Sequence, residues 1–276
     1  MGRGDFGFDG LYSLQAVNQW IGVINANLNA ANRTGYKATK VKFRGGVATV
    51  ERRPFGPLLG IQSPETTLQI DETQLDFSQG SIVASTEPTH LAIQGENVFF
   101  RLSTTIDGNG APVNNPVDAA YYTRDGEFHV INDAGNLRLV HSTGMYLVAN
   151  VGGTLEGVEF DAQNDLVIID DNAAGIAGAG VVFNEEHLEG FNAPNFLRFS
   201  RFGSTVFEQV GDLNDAGPFA VQAGAARVVA QSLESSNSSL SQALPELSLA
   251  QKFFSSVSKV ISVHQTNLDT VINLIR

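Results

Sequence analysis

Apolar side chains recur at alternating steps of three and four residues over the last part of the chain. The residues at these steps are Leu240, Ala243, Leu247, Ala250, Phe254, Val257, Ile261, His264, Leu268, Val271 and Ile275, and only the histidine is not apolar. This spacing is typical of the contact stripe of a coiled coil. It predicts a helix on the order of 50 Å long, whose narrow apolar stripe needs a partner helix to cover it.

A second stripe with the same spacing occupies the N-terminal region, at Leu14, Val17, Ile21, Ile24, Leu28 and Ala31. The two stripes predict either a helix pair within one chain or packing of both ends against other copies of the chain, and the spacing leaves both alternatives open. The predicted contact surface between subunits consists of Leu14, Val17, Ile21, Ile24, Leu28, Leu247, Phe254, Val257, Ile261, Leu268, Val271 and Ile275. Pro245 lies within the second stripe and predicts a kink in a continuous helix, or else a helix that begins at the proline itself.

The middle of the chain alternates apolar and polar residues in short runs that end at turn-forming pairs. Residues 36–43 have this strand pattern after a helix expected to stop at Gly35, and Asp125-Gly126 and residues 133–136 mark turns. Residues 166–169 are expected to form a buried strand, and the phenylalanines between 191 and 207 to pack in a core. The predicted fold class is therefore α+β, with long N- and C-terminal helices paired as a coiled coil and a β-rich middle domain. The expected divisions are a flexible lead at 1–9, the N-terminal helix and following strand at 10–44, the β-rich domain at 45–226 and the C-terminal helix at 227–276.

Charge and targeting signals exclude several classes of partner. Residues 54–226 carry 5 basic and 23 acidic side chains, and the whole chain has a net charge of −12, so the middle offers little to neutralise the phosphates of a nucleic acid. Cysteine is absent, which excludes disulfides and thiolate chemistry. No apolar run is long enough for a membrane span, and the first residues lack the apolar core of a cleaved signal peptide. Composition alone favours a cytoplasmic location.

No pattern in the sequence predicts catalysis. The five histidines form no HExxH pair, and the acidic runs at 107–110 and 165–171 lack the spacing of a calcium-binding EF-hand loop. Nucleotide-binding glycine motifs and the nucleophile motif G-x-S-x-G are also absent. The sequence therefore predicts a protein that is not an enzyme, with no catalytic, cofactor-binding or metal-binding residues, no cofactor and no small-molecule substrate.

Several short motifs carry a resemblance to bacterial flagellar axial proteins, the rod and hook family. Residues 26–37 read ANLNAANRTGYK, which resembles the ANNLAN-x-x-TGFK segment of that family. The others are DFSQGS at 76–81, HLAIQGENVFFRL at 90–102, YTRDGEF at 122–128, LESSN at 233–237, and QKFF at 251–254 with KVI at 259–261. They resemble the family's D-F-x-x-G, L-A-I-x-G-x-G-F-F, YTRDG-x-F, LE-x-SN, Q-R-x-Y and K-x-I motifs in the same order.

The resemblance implies a structural subunit, most similar to the distal rod protein because of its length. Such a subunit would polymerise with its own copies and contact other flagellar axial proteins above and below, in the basal body at the periplasm or cell exterior. Export through the flagellar type III apparatus, which uses no cleaved signal peptide, would replace the cytoplasmic location. The chain lacks the second glycine of G-x-G-F-F, and residues 106–119 look like a loop insertion. These departures leave a hook or a non-flagellar surface filament as alternatives, beside an unrelated soluble β-rich binding domain or enzyme.

Overall fold

The computed structural model describes most of the chain. The described residues are 6–45, 49–50, 62–63, 67–106, 120–133, 135–151, 154–169, 181–192, 194–209, 218–222 and 224–275. All but the first residue of the loop expected at 106–119, and residues 1–5 of the expected flexible lead, lie outside these ranges. The predicted domain limits stay a prediction.

Two α-helices and twenty strands are assigned within the described residues. The helices are α1 (Phe6–Asn29) and α2 (Leu240–Ile275). The strands are β1 (Thr39–Gly45), β2 (Thr49–Val50), β3 (Gln62–Ser63), β4 (Leu68–Leu75), β5 (Ile82–Ala84), β6 (Leu91–Gln94), β7 (Val98–Ser103), β8 (Tyr121–Thr123), β9 (Phe128–Asp133), β10 (Asn136–His141), β11 (Tyr146–Val151), β12 (Thr154–Asp161), β13 (Leu166–Ile169), β14 (Val181–Val182), β15 (Glu189–Gly190), β16 (Leu197–Ser200), β17 (Gly203–Gln209), β18 (Phe219–Ala220), β19 (Arg227–Ala230) and β20 (Ser232–Glu234). Short 3₁₀ helices cover Glu185–His187 and Pro194–Phe196.

These elements form two compact units, each described by itself below. The helical unit contains α1, the strands β1 to β4 and α2. The sheet unit contains Ala30–Ala38 and Leu75–Ser238. Its central feature is a large sheet in the strand order β14-β13-β12-β10-β11-β7-β8-β17-β16, extended by β9, β15 and β18. Two short antiparallel ribbons, β19 with β6 and β20 with β5, complete the unit.

Two apolar clusters fill the sheet unit. The larger cluster is built from the inward-facing residues of β6, β7, β10, β11 and β12, with Phe100, Leu139 and Leu147 fully buried. The smaller cluster is aromatic and has Phe99 at its centre, with Phe77, Phe191 and Phe207 in edge-on contact at centroid distances of 5.4, 5.7 and 6.2 Å. Edge-on aromatic contacts add to the hydrophobic stabilisation that burial provides.

The helical unit pairs its two helices in antiparallel directions. Gly10 of α1 lies against Ile261 of α2, while the Trp20 indole donates to the Glu246 carboxylate at 2.8 Å. Trp20 also packs edge-on against Phe43 of β1, at a centroid distance of 5.2 Å. The buried face of α1 therefore contacts both α2 and the ribbon of β1 and β4.

The predicted fold class, α+β with long terminal helices paired as a coiled coil, is wrong. More of the described residues lie in strands than in helices, and the apolar cluster between α1 and α2 also includes Val41 and Phe43 of β1. The physical reason lies in the face that α1 buries: Val17, Trp20 and Ile24 are covered, whereas Leu14 and Ile21 are only half-buried. Because β1 shares this face with α2, the apolar stripe of α1 is not reserved for a partner helix.

Several local predictions are confirmed. A strand follows the N-terminal helix, although α1 ends at Asn29, before the predicted stop at Gly35. Asp133 and Asn136 lie opposite each other where β9 pairs with β10 in antiparallel fashion. Residues 166–169 form the expected strand, β13, but only Val167 and Ile169 are buried and Leu166 is 42% exposed. Phe191 and Phe207 are buried, whereas Phe196 is 48% exposed.

The C-terminal helix begins at Leu240 and continues through Pro245. The carbonyl of Ser239 accepts from the backbone N–H groups of Gln242 and Ala243 at 3.1 and 3.0 Å, so helical bonding is established before the proline. This finding excludes a helix that begins at Pro245.

We expect Pro245→Ala to stabilise α2 by up to about 3 kcal/mol, because alanine restores the N–H that can bond to the carbonyl of Ser241 and removes the ring that crowds it. Circular dichroism of the full chain during thermal unfolding measures the effect. Gln242→Ala, also exposed and in the same turn region, is the control and should change the melting temperature little. Equal helicity and stability in Pro245→Ala and the wild type would contradict the prediction.

Candidate functional site

The predicted contact residues of α1 divide between buried and half-buried positions. Val17 and Ile24 are buried, and Leu14, Ile21 and Leu28 are half-buried. Ile24, Ile21 and Leu28 belong to the apolar cluster that α1 forms with α2 and β1. Part of the predicted subunit surface is therefore used inside the chain.

The predicted contact residues of α2 change character along the helix. Leu247, Phe254, Val257 and Ile261 are half-buried, and the small residues Ala243 and Ala250 between them are buried. Further along, Leu268 is 47% and Val271 is 52% exposed. Neighbouring Ile272 and Leu274 are also exposed, and the side chain of Ile275 lies outside the described residues. The last turns of α2 therefore present an apolar surface that continues the stripe covered nearer its start.

Hydroxyl groups along α2 are bonded to the helix itself. Those of Ser248, Ser255, Ser256, Thr266 and Thr270 each donate to the carbonyl four residues earlier, at 2.8–3.2 Å. Between Leu247 and Leu274 the charged side chains are Lys252, Lys259 and Asp269. A surface helix usually carries a charged outer face. Because α2 has few charges and these hydroxyls bond within the helix, protein can cover its outer face without leaving many hydrogen-bond donors unsatisfied.

A buried group of charges, here called the Glu234 cluster, lies in the sheet unit and consists of Lys37, Arg124 and Glu234. One carboxylate oxygen of Glu234 accepts from Lys37 Nζ at 2.6 Å and from the Gly80 N–H at 2.8 Å. The other accepts from Arg124 Nη1 at 3.0 Å. All three side chains are at most 1% exposed. Both oxygens of the buried Glu234 carboxylate therefore have charged partners, as a buried charge requires.

Further bonds hold the two cations of the cluster. Lys37 Nζ also donates to the carbonyl of Ser78 at 2.8 Å, and Arg124 donates to the carbonyls of Ile93 and Gly95. The guanidinium of Arg124 lies 5.4 Å from the centre of the Phe99 ring. Burial lowers the pKa of the Lys37 ammonium below its usual value, although Glu234 opposes that change.

Asn237 ties the same region together through its side-chain amide. Its oxygen accepts from the Ala38 N–H at 2.7 Å, and its nitrogen donates to the carbonyls of Asp76 and Ser78 at 2.6 and 3.1 Å. The Gly35 N–H donates to the carbonyl of Glu234 at 2.7 Å, beside an antiparallel bridge between Thr34 and Ser235. The segment that follows α1 and the segment that precedes α2 are therefore bonded to each other.

Two motif glycines allow this close approach of backbones. Gly35 has φ of +62°, and a Cβ there would lie 2.2 Å from the backbone nitrogen of Asp125. A Cβ on Gly80 would lie 1.9 Å from the carbonyl oxygen of Ser235. Neither position accepts a larger residue unless the backbone moves.

We expect Gly35→Ala to destabilise the sheet unit by more than the roughly 1–2 kcal/mol that a left-handed backbone costs an ordinary residue, because the new methyl also overlaps Asp125. Gly144→Ala is the matched control: Gly144 has φ of +83° with open space around its Cβ position, so it measures the backbone cost alone. Chemical denaturation of both variants gives the difference. Equal losses would contradict the packing argument.

Sequence reasoning predicted the motifs but missed the cluster they form. Lys37, Gly80, Arg124 and Glu234 come from four different motifs, those at 26–37, 76–81, 122–128 and 233–237. The available signal for the cluster was the presence of charged residues within motifs that otherwise serve the fold. Their convergence depends on contacts across as many as 197 residues, which periodicity cannot supply.

A second buried ion pair lies elsewhere in the sheet unit. Arg101 of β7 donates to Glu189 of β15, and both side chains are almost fully covered. Burial raises the pKa of the Tyr122 hydroxyl, and the charge of Glu189 adds to the effect. The strand pairing of β15 with β7 places this pair within the sheet, where it serves packing.

The described ranges contain no group of three or more histidine, aspartate or glutamate side chains arranged to hold a metal ion. No helix assigned in the described part of the chain is long and apolar enough to cross a membrane. No family model matches the chain.

Comparison with curated proteins finds relatives over nearly the whole chain. The flagellar basal-body rod protein FlgG of Bacillus subtilis (strain 168) is 23% identical over 98% of each chain. FlgG of Borreliella burgdorferi is 27% identical over 93% of each chain. The flagellar hook-basal body complex protein FlhP of Bacillus subtilis is 25% identical over 96% of each chain. The resemblance to bacterial flagellar axial proteins that the motifs carry is thereby confirmed. It extends over 93–98% of the chain.

Proposed function

We propose that this protein is a structural subunit of a flagellar axial structure, most similar to the distal rod, that assembles with its own copies through its terminal helices. The observation that carries the proposal is the similarity over 93–98% of the chain to proteins named as flagellar basal-body rod and hook-basal body components. Because the similarity includes both terminal helices and the β-rich middle of the chain, it favours a shared overall architecture and not a single shared motif.

The uncovered end of α2 supports assembly through the helices. Leu268 and Val271 are 47% and 52% exposed, in line with the stripe that α1 covers nearer the start of α2. Ile272 and Leu274 beside them are also exposed. Soluble monomers seldom expose a contiguous apolar surface of this kind unless it binds protein. A neighbouring copy is the proposed occupant, because the same stripe already accepts a helix of this chain.

The same relatives support a flagellar basal-body location and flagellar partners, and the proposal extends from there. The subunit would contact other flagellar axial proteins above and below it, in the basal body at the periplasm or cell exterior. It would leave the cell through the flagellar type III apparatus without a cleaved signal peptide and would contribute to motility. The role is structural, and it requires no catalysis, cofactor, nucleic acid or small-molecule substrate.

A second candidate is a subunit of the hook or hook-basal body junction. The similarity to the protein named flagellar hook-basal body complex protein favours it. A non-flagellar surface filament built on the same fold is a further alternative, and an unrelated soluble β-rich protein a remote one.

The test is direct observation of assembly. Purified full-length protein is concentrated in steps and followed by light scattering and electron microscopy, and we expect tubes or filaments above a threshold concentration. A chain that stays monomeric at every concentration would overturn self-assembly. Deletion of the gene in the source bacterium separates the candidates: basal bodies that end before the distal rod support the rod assignment, complete rods without a hook support the hook, and normal flagella support another filament.

A further inference from the structure

Both chain segments next to the terminal helices end at the Glu234 cluster. Ala30–Ala38 follows α1 directly and carries Lys37, and β20 with Ser235–Ser238 leads into α2 and carries Glu234. The two segments meet in one antiparallel bridge, Thr34 with Ser235. The segment that follows α1 and the segment that precedes α2 are therefore held side by side within the sheet unit.

We propose that Glu234 is a positioning residue for assembly, whose buried carboxylate sets the register between the segment leaving α1 and the segment entering α2. The proposal rests on the proposed function and deepens it, since it names the group that prepares the terminal helices for a second copy of this chain. Glu234 acts through Lys37, Gly80 and Arg124 and is not itself part of the assembly surface.

The shortness of the backbone pairing is the first argument. Register along a strand pair is normally set by several alternating contacts, and a slip of one residue turns every side chain to the opposite face. Between these two segments the backbone pairing consists of one bridge and two further bonds, from the Gly35 N–H to the Glu234 carbonyl and from the Asn237 N–H to the Tyr36 carbonyl. Such a short pairing gives little protection against a slip. Because β5 holds β20 in register over three residue pairs, a slip would move the segment that leaves α1. Such a slip would take Lys37 Nζ away from the Glu234 carboxylate, which it now meets at 2.6 Å.

The chemistry of the cluster is the second argument. A well-packed apolar group could stabilise a core as well as a buried ion pair, and the best-attested use of buried charge is to specify one arrangement. Glu234 is bonded in three directions, to Lys37, to Gly80 and to Arg124. An apolar side chain could slide among its neighbours, whereas these bonds are directional.

The first experiment compares Glu234→Gln with Glu208→Gln in the full-length chain. Both changes neutralise a carboxylate paired with an arginine, but Glu208 pairs with Arg198, which is 65% exposed. Hydrogen exchange on the monomer should accelerate roughly 100-fold or more at 34–38 and 232–237 in Glu234→Gln, the effect expected when one partner of a buried pair is removed. Exchange in β10, β11 and β12 should be unchanged, and Glu208→Gln should match the wild type.

Asn237→Ala provides a second variant in case Glu234→Gln does not fold. It removes the bonds to Ala38, Asp76 and Ser78 and leaves no buried charge without a partner. The same two segments should exchange faster, and assembly should weaken in proportion.

A disulfide rescue separates positioning from general stability. The chain has no cysteine, so Thr34→Cys with Ser235→Cys creates a single possible bridge. Opposite residues of such a pair have Cα atoms about 4.5 Å apart, within the roughly 4.4–6.8 Å that a disulfide spans. In the Glu234→Gln background, the oxidised protein should assemble like the wild type and the reduced protein should not.

The outcomes distinguish this proposal from the proposed function. If the wild type fails to assemble, the proposed function fails, while hydrogen exchange still tests whether Glu234 holds the two segments. If Glu234→Gln loosens the segments but assembles like the wild type, or if the oxidised rescue variant does not assemble, the positioning role is wrong.

Discussion

Leu268→Asp should abolish assembly while the monomer keeps its melting temperature. Leu268 is 47% exposed in the single chain, so a carboxylate there stays hydrated until a neighbour covers it. Covering an unpaired carboxylate costs several kcal/mol, and each roughly 1.4 kcal/mol is a factor of ten in the equilibrium. The concentration required for assembly should therefore rise by more than about 100-fold, measured by light scattering.

Thr266→Asp is the matched control for this variant. Thr266 is exposed two residues earlier in α2, off the apolar stripe, and its hydroxyl donates to the Ser262 carbonyl of the same helix. It introduces the same charge and should leave the assembly threshold close to that of the wild type. Normal assembly of Leu268→Asp would show that the end of α2 is not a subunit contact. Loss of assembly in both variants would point to charge rather than to the stripe.

Phe99→Ala should destabilise the sheet unit by about 3–5 kcal/mol, the usual loss when a buried aromatic side chain is removed from a core. Phe99 is fully buried, and three other phenylalanines lie edge-on to its ring or near it. The alanine variant loses these contacts and also the ring beneath the Arg124 guanidinium. Denaturant unfolding followed by fluorescence and circular dichroism measures the free energy of unfolding.

Phe196→Ala controls for the removal of a phenylalanine in the same unit. Its ring is 48% exposed, so the loss should stay below about 1 kcal/mol, in keeping with surface substitutions that touch no special feature. Similar losses in both variants would mean that the aromatic cluster does not form the core described above.

The elements that follow from local pattern were the predictable part of the fold. The stripe from Leu240 to Ile275 predicted a helix over these residues because a 3-4 rhythm is a property of one segment alone. The predicted start of the helical segment at 227 was too early, since 227–230 and 232–234 form β19 and β20. The hairpin of β9 and β10 was predictable for the same reason, since turn residues and alternation lie next to each other in the chain.

The partners of those elements were not predictable from pattern. The stripe of α1 indicated a helix partner, but the buried face of α1 also meets Phe43 of β1. An apolar stripe cannot distinguish a strand partner from a helix partner. Of the candidate contact surface, the sequence predicted apolar positions, whereas the exposed state of Leu268 and Val271 required the structure. That these positions contact another subunit stays a prediction.

The long reach of Glu234 along the chain has a consequence for the order of folding. Its partners Arg124, Gly80 and Lys37 lie 110, 154 and 197 residues earlier, and β19 and β20 pair with β6 and β5. Contacts this distant in sequence form slowly, because the chain loses the entropy of a long loop before the contact stabilises it. A chain still emerging from the ribosome cannot complete the sheet unit until residue 237 is available. We therefore expect the polypeptide to stay incompletely folded, and able to pass through a narrow export channel, until residue 237 has been synthesised.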